Sequence, residues 1–266
     1  MSLDDDLSFL PDWRQLEING GRVEPGLVTR LFLPITAADE YVDAQIDDYG
    51  SRSRRQYPWQ PGIELSLQAR FSHNEDDLIG TAGFGFWNAP FGDPTVPWPT
   101  LPQTVWFFFG SPPNDLPLAI NQPGQGWFAG TLDATTAKAL MMAPMAPFTL
   151  LLNRITAVRR RLWPWIRERL SISFAPITQT MTEWHQYRLV WQPAGSAFFV
   201  DDQLVLQTGH SPRGPLGFVC WLDNQYIVVG IDGRFRWGTL PVTNPQWLEI
   251  KNLKLTKSRK PILTAP

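Results

Sequence analysis

The sequence predicts an all-β protein of many short strands, broken by one helical insertion over about 134–171. Three observations predict it. The 25 prolines, 20 glycines and 13 tryptophans are spread along 266 residues in place of long Ala, Glu and Lys runs, the composition of many short strands joined by turns. Two segments alternate apolar and polar residues at the period of a strand. One segment changes to the period of a helix.

In "YVDAQIDD", Val42, Ala44 and Ile46 share one face, and Tyr41, Asp43, Gln45 and Asp47 share the other. "GIELSLQARFS" repeats the pattern. Ile63, Leu65, Leu67, Ala69 and Phe71 point inward, while Glu64, Ser66, Gln68 and Arg70 form a polar row that is either a solvated sheet face or the floor of a groove. Further strands are predicted at about 27–33, 79–87, 104–109, 172–179, 184–192, 196–200, 203–207, 215–222, 226–230 and 246–256. In the third of these, Thr104, Trp106 and Phe108 face one way and Val105, Phe107 and Phe109 the other. Between them, 90–102 and 110–126 read as long Pro-rich connections, which in a compact domain often shape a binding site. The whole chain, 1–266, reads as one domain with irregular termini over about 1–25 and 258–266.

In the insertion, Phe148, Leu151, Leu152, Ile155, Val158 and Leu162 recur every three or four residues, and Pro164 is expected to end or kink the helix. "AKALMMAPMAP" before it reads as a shorter helix, with Met141, Met142 and Met145 as core filling. The polar side carries Arg154, Arg159, Arg160, Arg161, Arg167 and Arg169. That side is a solvated face, a contact for an anionic membrane surface or a protein, or a lid over a ligand site. If the apolar stripe packs on a sheet it is a lid, and if it is exposed it is an interface.

A formal charge of −2 gives no global attraction for nucleic acid. Cys220 is the only cysteine, so neither an intramolecular disulfide nor a site of several thiolates can form. His73 and His210 lack partners at ligand spacing, so no metal site is expected. The sequence has no Gly-rich phosphate loop and no Gly-x-Ser-x-Gly elbow, and no cofactor is expected. The start "MSLDDDLSFLPDW" is acidic and lacks the apolar core of a signal peptide, and no apolar run reaches the length of a bilayer, so a cytoplasmic, non-transmembrane protein is expected.

Residues 184–205 read "WHQYRLVWQPAGSAFFVDDQLV": a strand, a Pro-Ala-Gly turn, a strand, an Asp201-Asp202 turn and a third strand, with aromatic residues packing across the meander. The stretch resembles, without a gap, that of the family-sixteen glycoside hydrolases (laminarinases and lichenases), F-H-x-Y-x-x-x-W-x-P followed by an aromatic pair and V-D-G. Trp184 stands at the Phe position, followed by His185, Tyr187, Trp191, Pro193, Phe198, Phe199, Val200 and Asp201. Asp202 replaces the glycine, a tolerable change at a turn. More weakly, "GIELSLQARF" with "GFGFWNAPF" looks like the family's strand pair before the active site, "GFVCWLDNQY" like a later cleft strand and "WLEIKNLKL" like the closing strand. The resemblance implies the concanavalin A-like jelly roll, two antiparallel sheets of which one curves into a groove.

In that family, the strand after the "GFGFWNAPF" position carries Glu-x-Asp-x-x-Glu, whose outer carboxylates are nucleophile and acid/base. Here "TVWFFFG" puts Thr104 and Trp106 at the first Glu and the Asp. Retaining hydrolysis needs two carboxyl groups about 5 Å apart, and aromatic rings replace neither. The resemblance therefore implies non-catalytic binding of a carbohydrate or similar small ligand in the groove. Trp106, Trp127 and Trp221 are the candidates for stacking, and Glu64, Gln68, Arg70, Asn88, Asp223 and Asn224 for hydrogen bonds. Against this, Trp106 and Phe108 could fill the core, and the polar row could be plain surface. The second reading is a hydrolase with relocated acids, Glu64 and Asp223, assisted by Asp43 or Asp93. His185 is a weaker candidate base, because it matches a residue the family uses structurally. The third reading is an apolar or anionic ligand, a membrane or a protein partner met through the insertion.

Overall fold

The computed structural model describes residues 13–90, 98–116, 118, 124–145, 148, 149, 152, 154–230 and 234–258. Two antiparallel seven-stranded sheets are formed. The first contains, in spatial order, β1 (Arg14–Ile18), β4 (Asp43–Asp47), β13 (Gly217–Asp223), β6 (Thr81–Trp87), β7 (Gln103–Gly110), β8 (Gly126–Asp133) and β9 (Ser173–Pro176). The second runs β12 (Gln203–Thr208), β11 (Gly195–Val200), β10 (His185–Gln192), β5 (Ile63–Phe71), β16 (Gln246–Lys257), β3 (Thr29–Leu33) and β2 (Arg22–Glu24). A hairpin of β14 (Gln225–Val229) and β15 (Phe235–Thr239) follows β13. The insertion between β8 and β9 holds α1 (Ala137–Met142) and α2 (Thr156–Arg169).

The alternation read in 63–71 is realised residue by residue, with every odd position buried. Between the sheets, Phe84, Phe86, Phe107, Phe109, Trp127 and Phe218 meet Leu65, Leu67, Phe71, Tyr187, Trp191 and Phe198 in one apolar cluster. Many rings meet edge to face, as between Phe84 and Tyr187 (centroids 5.1 Å apart) and Phe107 and Phe198 (5.3 Å). That geometry sets ring edges against ring faces and adds to burial alone.

Three expectations need correction. The amino-terminal stretch is not wholly irregular, because β1 and β2 lie within it as short edge strands. β8 was not expected: "GWFAGTLD" has almost no polar face to mark a period, since seven of its eight residues are buried. Of the two outcomes expected of Pro164, ending the helix is excluded, because the residue sits inside α2, where it removes one helical hydrogen bond. The burial of Trp163 and Ile166 on either side of it holds the helix down. α2 buries those two residues and not the stripe picked out by periodicity. Phe148 and Ile155 are each 55% exposed, and Val158 and Leu162 are only half-buried.

Candidate functional site

The outer face of the first sheet, turned away from the second, is built differently on its two halves. On the β6–β8 side it is aromatic. "GFGFW" places Phe84 and Phe86 inward, so Gly83, Gly85 and Trp87 face outward. A Cβ on Gly83 would stand 2.2 Å from the Phe107 carbonyl oxygen and 2.9 Å from the Trp221 ring, and one on Gly85 would stand 2.6 Å from Trp106 Cα. The two glycines thus leave the space over β6 into which rings from β13 and β7 lean. Trp106 and Trp221 are 5.3 Å apart, Trp87 and Trp221 are parallel within 2° at 6.0 Å, and Phe108 continues the row to Phe128 at 5.2 Å.

On the β4–β13 side the face is polar. The register sets Asp43 opposite Asp223, Gln45 opposite Trp221 and Asp47 opposite Val219. Buried carboxylates need partners. Asp47 accepts from Arg14 Nε (2.8 Å), Gln45 Nε2 (2.8 Å) and the Gly50 amide (2.9 Å). Asp223 Oδ1 accepts from the Thr81 hydroxyl (2.8 Å) and the amides of Thr81 and Gln225. The same hydroxyl accepts from Trp221 Nε1 at 2.9 Å, which fixes the indole beside the carboxyl. Burial outweighs these bonds and pushes the Asp223 carboxyl up to about 6.

The face is covered. Leu116 and Leu118, on the β7–β8 connection, pack on the aromatic half together with Tyr57, Leu170 and Ile172. That connection is tied to the hairpin by Asn114 Oδ1, which accepts from the Ile227 amide at 2.8 Å. Under this cover Trp106 is 8% and Trp221 5% exposed; on the polar half Asp43 and Asp223 stand at 3% and 7%.

Of the residues proposed from sequence, Trp106, Trp221 and Asp223, with the assisting acid Asp43, come together here. The others do not. Glu64, Gln68 and Arg70 lie on the outward side of β5 in the second sheet, so the polar row is no part of the face that carries Trp221. Arg70 donates to Glu249 at 2.7 Å and lies over the rings of Trp184 and Trp247. Glu64 and Asp223 are therefore separated by the thickness of the sandwich and form no carboxylate pair. Trp127 points into the inter-sheet core, where its ring meets Phe71 and Phe84 edge-on. Asn88 bonds the backbone of Leu101 and Gln103, closing the β6–β7 connection. Asn224 bonds the backbone of Val42, Glu40 and Leu240. Both amides are spent on the chain itself. Asp93 lies outside the described residues. His185 is held between Asp201 (2.6 Å) and the Thr180 carbonyl (3.0 Å), a packed structural histidine.

Sequence reasoning missed Gln45, Asp47, Thr81, Trp87 and Phe128. The signal existed in the polar side of "YVDAQIDD" and in the parity of "GFGFW". Among the described residues, no group of three or more His, Cys, Asp or Glu side chains could hold a metal ion. No described helix is long and apolar enough to cross a membrane.

No protein-family model matches the chain, and no curated protein matches it by sequence. Solved structures do. A native glycosidic hydrolase superposes with a TM-score of 0.50 at 11% identity, over 94% of this chain and 92% of that one. The GlcNAcα1-4Gal-releasing endo-β-galactosidase from Clostridium perfringens superposes with a TM-score of 0.50 at 10% identity, over 98% of this chain and 61% of that one. At such identities the likeness speaks for architecture alone. Together with the paired antiparallel sheets, it shows that this chain has the jelly-roll fold found among glycoside hydrolases.

Proposed function

We propose that the protein binds a carbohydrate, or a small ligand of similarly mixed polarity, on the outer face of the first sheet and does not hydrolyse it. The observation that carries this reading is the juxtaposition on one face of the Trp87–Trp106–Trp221 rings with Asp43, Gln45 and Asp223. A sugar offers C–H faces to rings and hydroxyls to carboxyl and amide groups, and a site for it needs both. β7 contributes rings and Thr104 but no acid, at the position where the resembling hydrolases carry their nucleophile and acid/base. The superposable structures named above are both glycan-cleaving enzymes, which supports a glycan as the ligand class. Entry requires Leu116 and Leu118 to lift from the rings.

The test is a thermal-shift screen of glycans with the parent, Trp221→Ala and Asp223→Asn proteins. A ligand at a hundred times its Kd stabilises by about 2.7 kcal/mol, a rise of several degrees in Tm. The parent should show it and Trp221→Ala, verified as folded by circular dichroism, should not. A panel that leaves the parent unshifted sinks the reading.

A second reading is favoured by one observation. Asp43 and Asp223 are direct cross-strand partners, and such side chains have Cβ atoms about 4.5–5.5 Å apart, close to the spacing of a retaining carboxylate pair. With its carboxyl raised to about 6, Asp223 would be the acid and Asp43 the nucleophile. Release of reducing sugar from β-glucan or galactan by the parent, lost in Asp223→Asn, would replace the binding reading with this one.

A further inference from the structure

We propose that the insertion between β8 and β9 docks the protein on an anionic lipid surface, with α2 lying in the plane of the headgroups. The first argument is charge. Residues 134–171 carry Lys138, Arg154, Arg159, Arg160, Arg161, Arg167 and Arg169 against Glu168 alone, within a chain whose net charge is −2. The insertion thus carries a net charge of +6 (seven basic residues less one acidic) and the remainder of the protein −8 (−2 less +6), which orients the insertion toward an anionic surface.

The second argument is what the insertion leaves in water. Met141 is 80% exposed, Phe148 and Ile155 55%, Met145 54% and Trp165 43%. On α2, Val158, Leu162 and Trp165 follow one another at helical spacing, one turn on from Ile155. With Ala157 and Arg161 they line an open groove of about 650 Å³. The helix spends its inward side on Trp163 and Ile166, and this stripe, half-buried at Val158 and Leu162 and exposed at Trp165, belongs to neither apolar cluster of the described residues.

The third argument is how the charges sit relative to the stripe. Arg154 and Arg161 are exposed next to the stripe, Arg160 is exposed on the far side of the helix and acts only through the field of the insertion, and the Arg169 guanidinium lies 3.7 Å from the centre of the Trp165 ring. Arginine stems cover apolar surface while their heads reach polar groups, and tryptophan settles at the level of lipid headgroups. Arg159 and Arg167 are half-buried and contribute only through the field of the insertion. Apolar stripe, cationic flank and an interfacial indole on a helix of 14 residues, about 21 Å long, make an element that lies on a bilayer and does not cross it.

The experiment is co-sedimentation of the whole protein with sugar-free vesicles of phosphatidylcholine, with and without one-third phosphatidylglycerol, at low and high salt. Two double variants accompany it, Leu162→Glu/Trp165→Glu and Arg160→Glu/Arg161→Glu, checked for an unchanged Tm and circular dichroism spectrum. The parent should bind only the anionic vesicles, and either high salt or either variant should weaken binding about tenfold or more. The proposal is overturned if the parent ignores anionic vesicles at low salt, or if binding is indifferent to both variants. It is equally overturned if the parent binds no vesicles but self-associates through a contact that the Leu162→Glu/Trp165→Glu protein loses. That outcome would assign the stripe to an interface between copies. Because the vesicles carry no glycan, none of these outcomes bears on the ligand face of the first sheet.

Discussion

Gly83 and Gly85 decide whether the outer face of the first sheet can carry its rings. With no side chain on β6 at those positions, Trp221 and Trp106 lean over the strand, and a methyl group there meets backbone as well as ring atoms. Gly85→Ala should therefore destabilise by about 1–3 kcal/mol, the usual cost of forced overpacking, and shift the tryptophan emission. Urea unfolding followed by fluorescence measures both, and an unchanged midpoint and spectrum would mean the rings do not depend on that space. Single-residue parity explains much of what the sequence reading gained and lost. Trp106 could be assigned a face because "TVWFFF" is visibly a strand. Trp127 could not, because β8 hides its period, and in a strand a shift of one residue exchanges faces. The ring that joins the outer face from β8 is therefore its neighbour Phe128. Asp43, Gln45 and Asp47 were legible as one polar side, but not as a buried one. Their burial comes from β1 and β13 closing on β4, contacts that join residues far apart in the chain.

At the scale of elements, the polar row on β5 was read correctly as a row and placed on the wrong face, because alternation says which residues go together and not which sheet they join. The row belongs to a ladder across β3, β16 and β5. Glu249 sits on β16, 3% exposed, and accepts from Arg30 Nη2 (2.6 Å) and Arg70 Nε (2.7 Å). The two guanidiniums hold its carboxyl below the usual range against the opposing effect of burial. Arg70→Ala leaves this carboxylate with half its partners and removes a cation from the Trp184 and Trp247 faces. The expected cost is about 1–3 kcal/mol, discounted toward the lower end because Arg70 is 36% exposed. Ligand-induced shifts in Tm should be unaffected, since Arg70 lies on the opposite side of the sandwich. Denaturant unfolding with and without ligand reads both, and loss of the shift would place the ligand on the second sheet. The helix shows the same limit. Its period was legible from Ile155 to Leu162, but Trp163 and Ile166 take the interior, so the stripe that looked like a core face looks outward.

For the whole molecule, the two sheets and the connections between them hold acids in opposite electrostatic settings, and this predicts how stability varies with pH. Asp48, just past β4, accepts from Trp59 Nε1 and from the Phe218 amide at 2.8 Å, joining β4, β13 and the connection before β5. Burial pushes its carboxyl from 3.8 up to about 7 despite both bonds, and burial likewise raises Asp223 to about 6. Over that range the folded protein holds protons that the unfolded chain has released. Stability from this source is complete below about pH 4 and is lost as pH rises through about 6 and then 7. Glu249, and Asp201 with its bonds from the Gln186 amide and His185, are lowered instead, so their contribution is present above their ordinary values of 4.5 and 3.8 and is lost on acidification. The combination places the stability maximum near about pH 4, where the lowered acids have ionised and the raised ones have not yet begun to cost stability, with Tm falling by several degrees as pH is raised to about 8. Asp48→Asn keeps a neutral acceptor for the Phe218 amide and cannot ionise. It should start less stable in weak acid, where its amide replaces a well-fitted carboxyl, but lose much less Tm between about pH 6 and 8 than the parent does. Calorimetric scans of both proteins across that interval measure the difference directly. Parallel Tm–pH curves would mean that Asp48 ionises freely in the folded protein and that the junction of β4, β13 and Trp59 is open to water.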